Sequence, residues 1–383
     1  MILKTNKKLG DLCVIQSGGT PSRSNNLYWE NGNIPWVKIS DIQEKYITEI
    51  EENITQKGLE NSSAKLFPKN TILFSIFASL GEVGILTKEA TCNQAIAGLQ
   101  IKDKNLSLDF LYYFLLSIKH YIAFIGRGVA QNNINLSILR NLSVPLPSLV
   151  EQKRIAERLD KVQELIALQK EQLTKLDDLI KSRFIDLFGD SISNPKKWPQ
   201  KRMGELFKIT SGGTPSRKNS KYFEGGTIPW VKTGDLTTPY LVHTDECITK
   251  LGMENSSAKL FPKGTVLLAM YGATIGAVSI LGIEATTNQA CAAFLPTTEV
   301  LPFYLYSFLH LRKKHLVSLG VGGAQPNISG EILKREKILC PPVKLQTQFA
   351  DFVTKIEAQK GLLTTRLSHL ETLYKSLMQE YFG

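Results

Sequence analysis

The chain is written twice. Ser17–Arg23 reads SGGTPSR, and so does Ser211–Arg217. Ile34–Lys38 and Ile228–Lys232 both read IPWVK; Asn61–Lys69 and Asn255–Lys263 both read NSSAKLFPK. All three blocks recur at an offset of 194 residues. Asn93-Gln94-Ala95 matches Asn288-Gln289-Ala290 one residue out of step, and the offset is 194 again at Ala130-Gln131 against Ala324-Gln325. Phe188-Gly189 and Phe382-Gly383 close the two copies in the same register. A fixed period of this kind means one structural unit used twice. The arrangement expected of two such copies is a pseudo-two-fold.

Each copy has two parts. The first is rich in short apolar runs, Gly, Pro and Asn, and reads as a mixed, strand-rich domain. Within it, 110–121 and 303–315 look like short aromatic-rich helices. The second part follows a proline-marked boundary, Val144-Pro145-Leu146-Pro147 in one copy and Pro341-Pro342 in the other, and reads as a long helix. The expected division is a domain over 1–147, a helix over 148–189, a second domain over 190–342 and a second helix over 343–383. The fold class is therefore α+β.

The long helices carry a heptad. Ile155, Leu159, Val162, Ile166, Leu173, Leu176 and Ile180 follow 4-3-4 spacing, interrupted at Gln169. Phe349, Val353, Ile356, Leu363, Leu367, Leu370, Tyr374 and Leu377 do the same, interrupted at Lys360. Apolar positions every 3.5 residues ask for a partner helix, and the other copy supplies one. An antiparallel coiled coil is expected. The competing reading is two amphipathic helices, each packed on its own domain. Length favours the first: about 35 residues at 1.5 Å each make a rod of about 50 Å.

Charge is unevenly placed. The net charge is +11 and the pI about 9.2. Residues 1–150 hold 15 basic and 12 acidic side chains, and residues 196–345 hold 19 and 10. The long helices are close to neutral. Charge concentrated on the globular parts suits a partner that presents phosphate. A merely basic surface is the competing reading.

Much chemistry is missing. The chain has no adenine-methyltransferase N-P-P-[FY] box, no G-x-x-x-x-G-K-[ST] phosphate loop and no H-E-x-x-H. Its five histidines form no paired ligand spacing. Five scattered cysteines and no apolar h-region at the start argue for a reducing compartment, the cytoplasm. One charge-free run, 264–283, has the length of a membrane span. Its glycine, threonine and β-branched content instead fits two buried strands and a tight turn.

The blocks L-G-D-L-C-V-I-Q-S-G-G-T-P-S-R (9–23) and M-G-E-L-F-K-I-T-S-G-G-T-P-S-R (203–217), with I-P-W-V-K-[IT]-[SG]-D, N-Q-A and P-S-L-V-E-Q-K-R-I-A-E-R-L-D (147–160), resemble the specificity subunit of Type I restriction-modification systems. The resemblance spans essentially the whole chain. The second junction, V-K-L-Q-T-Q-F-A at 343–350, departs from the family pattern. The resemblance implies a non-catalytic DNA-recognition subunit. Each domain would read one half of a bipartite double-stranded DNA target, and the paired helices would act as a ruler. Two methyltransferase subunits, carrying their own S-adenosylmethionine, would methylate adenine N6, and restriction subunits could join. No cofactor and no metal are expected on this chain. Two other classes compete: an enzyme with an unrecognised site, and a free-standing DNA-binding regulator.

Identity between the copies sorts scaffold from reader. In SGGTPSR, Gly18-Gly19 and Gly212-Gly213 suggest positive-φ turns. The alternative is a loop that presents Ser22, Arg23, Ser216 and Arg217 to phosphate or base edges. Trp36 and Trp230 read as core aromatics, and Lys38 and Lys232 can reach phosphate. Gln94 and Gln289 are either buried amides pinning a strand or adenine readers. Gln131, Asn133, Gln325 and Asn327 lie in Gly/Asn-rich loops and suit DNA contact, and Arg127 faces Val321 in the other copy. Base specificity is expected in the diverged segments, 39–58 against 233–252 and 97–128 against 292–322.

Overall fold

The computed structural model describes residues 5–119, 121–122, 134–320 and 327–383. Of the candidate DNA contacts, Arg127, Gln131, Asn133 and Gln325 lie outside the described residues, while Asn327 lies within them. The chain divides into two compact units. One is Met1–Gln169 with Arg366–Gly383; the other is Lys170–Thr365.

In the first unit a five-stranded sheet runs Cys13–Ser17, Ile96–Ile101, Ile72–Ser75, Val83–Leu86, Tyr46–Ile47. All neighbours are antiparallel except the last pair, in which Tyr46 faces Ile85 in parallel. A three-stranded sheet places Ile34–Val37 between Asn53–Ile54 and Thr91–Cys92. The entering strand Thr5–Lys8 pairs with the leaving strand Ser143–Leu146, which brings the two ends of the domain together.

The second unit repeats this strand for strand. Its five-stranded sheet runs Ile209–Ser211, Cys291–Phe294, Val266–Ala269, Val278–Leu281, Tyr240–Leu241. Ile228–Val231 again lies between two short strands, and Gln200–Arg202 pairs with Lys337–Leu339. The one-residue slip of the repeat has a place. It falls in the turn of the central hairpin, where the stretch from Ile76 to Glu82 corresponds to the longer stretch from Met270 to Ala277.

Both faces of the five-stranded sheet are covered, which explains its nearly continuous apolar strands. Ile72 and Phe74 join a core with the helix Leu108–Ser117, while Leu73 between them joins Val37, Phe67 and Leu86 on the other face. The charge-free run is the equivalent hairpin of the second unit: Val266–Ala269 paired antiparallel with Val278–Leu281. Among the described residues no helix is long and apolar enough to cross a membrane. The aromatic helices are Leu108–Ser117 and Pro302–Leu311, the latter followed after Arg312 by Lys313–Ser318.

Each domain leads into a 40-residue helix, Leu149–Phe188 and Val343–Phe382. Gly361 sits inside the second without ending it, at a cost of about 1 kcal/mol relative to alanine. A buried glutamine fixes each start. Gln152 donates to the carbonyls of Asn105 (2.8 Å) and Pro147 (2.9 Å) and accepts from the Ser107 amide (2.8 Å). Gln346 does the same with Glu299, Pro341 and Leu301, at 2.9, 2.9 and 2.8 Å. The departure of the second junction from the family pattern therefore leaves its geometry intact.

Within each unit the two helices run antiparallel. In the first, Arg158 donates to the Tyr381 hydroxyl (3.0 Å) and Gln163 to that of Tyr374 (3.1 Å). In the second, Lys360 bonds Asp177 (2.7 Å) and Phe349 packs on Phe184 and Phe188, both at 5.5 Å between centroids. The stripe is not evenly buried. Ile155, Leu159, Val162, Phe349, Val353 and Ile356 are buried, whereas Ile166, Leu173, Leu176, Ile180, Leu363, Leu367, Leu370 and Leu377 are half-buried. The reason is that the first turns of each helix do double duty. Ile155 and Leu159 share a core with the first domain and with Tyr381, and Phe349 and Val353 share one with the second domain and Phe184. Helix–helix and helix–domain packing are thus both present, in different turns of the same rods.

Candidate nucleic-acid interface

The SGGTPSR loop owes its path to a steric rule other than the one the sequence suggests. None of Gly18, Gly19, Gly212 and Gly213 has positive φ. They are glycines because neighbouring backbone leaves no room for Cβ. An added Cβ would strike the Cys92 carbonyl at Gly18, Ser63 at Gly19, the Thr287 carbonyl at Gly212 and Ser257 at Gly213. The Gly19 amide donates to the Cys92 carbonyl (2.8 Å), and the Gly213 amide donates to that of Thr287 (2.9 Å). From below, the buried indole of Trp36 donates to the Gly19 carbonyl at 2.9 Å, and Trp230 to that of Gly213 at 3.0 Å. Both tryptophans are core residues.

This anchorage sets the exposed end of the loop. Arg23 lies over the Trp29 ring (3.7 Å to its centroid) and near Trp36 (4.8 Å). Arg217 lies over Phe223 (4.5 Å) and Trp230 (5.0 Å). Such stacking holds a guanidinium while leaving its plane available for hydrogen bonds. Ser22 is exposed, with its hydroxyl 2.9 Å from that of Ser24; Ser216 is exposed too.

Lys38 and Lys232 emerge beside these arginines at the ends of the strands Ile34–Val37 and Ile228–Val231. Their backbone amides donate to Asp41 and Asp235, both at 2.8 Å, which gives the aspartate of the I-P-W-V-K-[IT]-[SG]-D block its role. One carboxylate joins each pair of cations. Glu52 bonds Arg23 (2.5 Å) and Lys38 (3.0 Å). Glu246 bonds Arg217 (2.6 Å) and Lys232. The hydrogen bond from Arg23 holds the Glu52 carboxyl below its ordinary range, and that from Lys232 does so for Glu246. Glu51 and Glu52 in turn raise Lys38, and Glu246 raises Lys232.

Gln94 and Gln289 are exposed, so neither is a buried strand pin. Each accepts a hydrogen bond from the threonine of the loop, Thr20 or Thr214. The structure therefore brings Ser22, Arg23, Lys38 and Gln94 around one loop, and Ser216, Arg217, Lys232 and Gln289 around its copy. Asn327 is apart from this group; it is exposed and bridges to Tyr271 in the turn of the second hairpin. Sequence reasoning missed Glu52 and Glu246. They lie within diverged segments, yet E-x-I-T recurs there at the offset of 194. Among the described residues no group of His, Cys, Asp and Glu is placed to hold a metal ion.

The comparisons with known proteins agree with this architecture. The family model described as the Type I restriction modification DNA specificity domain matches twice, over residues 2–178 and 195–372. The Type I restriction enzyme MjaIX specificity subunit of Methanocaldococcus jannaschii is 27% identical over 370 residues, covering 91% of this chain and 85% of that one. The EcoR124I/EcoR124II specificity subunit of Escherichia coli is 29% identical over 294 residues, covering 73% and 70%. The crystal structure of a Type I S subunit from M. genitalium aligns over 100% of this chain and 96% of its own, with a TM-score of 0.58 at 19% identity. A second solved chain, from work on complex assembly and conformational transition of the Type I restriction-modification system, aligns over 99% and 97%, with a TM-score of 0.62. The two family matches coincide with the two copies of the repeat, and the chain belongs to the specificity subunits of Type I restriction-modification systems, their non-catalytic DNA-recognition members.

Proposed function

We propose that each domain reads one half of a bipartite double-stranded DNA target, and that the chain docks two methyltransferase subunits, with restriction subunits as further partners. The observation that carries the reading is the duplication: one domain, strand for strand, occurs twice, each followed by a 40-residue helix. A single target would need one reader. The excess of basic residues on the domains favours phosphate contact. On this reading the methyltransferase subunits bring S-adenosylmethionine and methylate adenine N6. This chain contributes binding and orientation only.

Exchange of residues 1–147 for the matching domain of a relative tests the proposal. Methylation by the complex should change in one half of its target. A change in both halves, or in neither, would contradict separate readers.

A further inference from the structure

The two copies differ widely over 39–58 and 233–252, but six identities survive at the offset of 194. Five of the six have evident duties in the fold or lie on its edge. Asp41 and Asp235 hold the backbone amide of a lysine. Ile54 and Ile248 are core. Thr55 and Thr249 cap short helices. Gly58 and Gly252 pass close under the carbonyls of Tyr28 and Tyr222. Tyr46 and Tyr240 sit on the edge strand of the five-stranded sheet. Glu52 and Glu246 are different. Their backbone carbonyls accept from Trp36 and Trp230 at 2.9 Å, a bond any residue would make. Only the joining of two cations uses the carboxylate.

Stability is a poor reason to keep that carboxylate. The arginines are about half exposed, 53% and 54% at the side chain, and ion pairs exposed to that degree stabilise little, so what stability the carboxylates add lies with the less exposed lysines. The stacking on Trp29, Trp36, Phe223 and Trp230 already positions the guanidinium groups. What the carboxylate does change is the charge offered to a phosphate backbone. In the first domain two cations face two carboxylates, because Glu51 adds a bond to Lys38 at 2.9 Å. In the second, Asp245 faces His243 instead (3.6 Å), so two cations face one carboxylate.

We infer that Glu52 and Glu246 are positioning residues for DNA recognition: each ties an arginine and a lysine from two loops into a cluster whose positive charge it offsets, fully with Glu51 in the first domain and in part in the second, and so suppresses binding to DNA lacking the target. A phosphate must compete with the carboxylate for the same donors. Only a duplex that makes further contacts in the groove compensates for that competition. This is discrimination by a built-in repulsive element. The inference rests on the reading that these loops meet DNA.

The test uses the full chain and a mixed-sequence duplex without the target, with affinity measured against salt. Each additional phosphate contact steepens the slope of log K against log salt by about 0.9. E52Q/E246Q should bind this duplex more tightly, with a slope steeper by at least about one contact per domain. E52D/E246D, which keeps the charge, should stay near the unaltered chain. Glu51→Gln, at the most exposed carboxylate of the first cluster, should give a smaller steepening and leaves the fold alone. An unchanged or shallower slope in the Gln variants overturns the inference. R23A/R217A then separates the two failures. If it lowers the slope, the loops meet DNA and only the role of the carboxylates is wrong. If it does not, the loops lie off the DNA.

Discussion

At the scale of single residues, the junction glutamines show how much one side chain can fix. Gln152 and Gln346 are fully buried, and each satisfies two carbonyls and one amide. Replacing either by alanine strands all three groups, and an unsatisfied buried polar group costs about 1–3 kcal/mol. Gln152→Ala and Gln346→Ala should each lower stability by at least that much, read as a lower urea midpoint. An unchanged midpoint would mean that water replaces the amide at no cost. Both glutamines stand in the junction blocks at the offset of 194, so the signal was present. It was unreadable as such because a lone Gln near a helix start has no fixed meaning until the carbonyls it faces are known. The glycines of SGGTPSR are the opposite case. Their importance was plain from sequence, but the cause is close packing against Cys92, Ser63, Thr287 and Ser257, which only tertiary structure supplies.

At the scale of elements, the copies share a plan and differ in how each domain grips its helix. In the first unit Lys45 pairs with Asp109 (2.8 Å) and Asp160 (2.6 Å). Tyr113 also donates to Asp160, at 2.6 Å. Burial alone would lower the lysine pKa, but the hydrogen bonds to Asp109 and Asp160 outweigh it, and the net shift is upward. At the offset of 194 the second copy has Pro239, Phe303, Thr354 and Ser307, none of which can rebuild the lock. A cavity of about 1030 Å³ lined in part by Pro239 and Ser307 lies there. Asp160→Asn should therefore cost about 1.5 kcal/mol, the low end of the range for hydrogen bonds to a charged group because Asp160 is partly exposed. Its counterpart Thr354→Ala, at an exposed position, should stay within about 0.5 kcal/mol. Equal effects on the urea midpoint would contradict the asymmetry. The helices and their apolar stripe were legible because a sustained 3.5-residue period is the mark of a helix that packs along a second helix. The uneven burial of that stripe was not. It depends on which turns the domains cover, and no periodicity encodes that.

At the scale of the whole molecule, each long helix is continuous, while its residues divide between the two compact units. On the proposed reading, the pair of rods would act as the ruler between half-sites. Inserting one heptad at both Gln169 and Leu363 adds about 10 Å of helix. At 3.4 Å per base-pair step that is about three base pairs. The preferred gap between half-sites should lengthen by about that much, or recognition should be lost. An unchanged gap would remove the helices from the measurement. The duplication was fully legible, since three identical blocks in register admit one interpretation, and the two-reader plan is the proposal built on it. The target was not, because side chains such as Arg23 and Gln94 would acquire a base partner only through a docking geometry the sequence does not state. The proposed pair of readers has one direct measurement: a methylation map of the genome that carries this gene, compared with one from which the gene is deleted. The expected result is loss of a single adenine-methylated motif made of two short blocks. The block centres should lie about one helical turn apart, roughly 10 bp, with roughly 5–8 unread base pairs between the blocks. A continuous motif with no gap would contradict it.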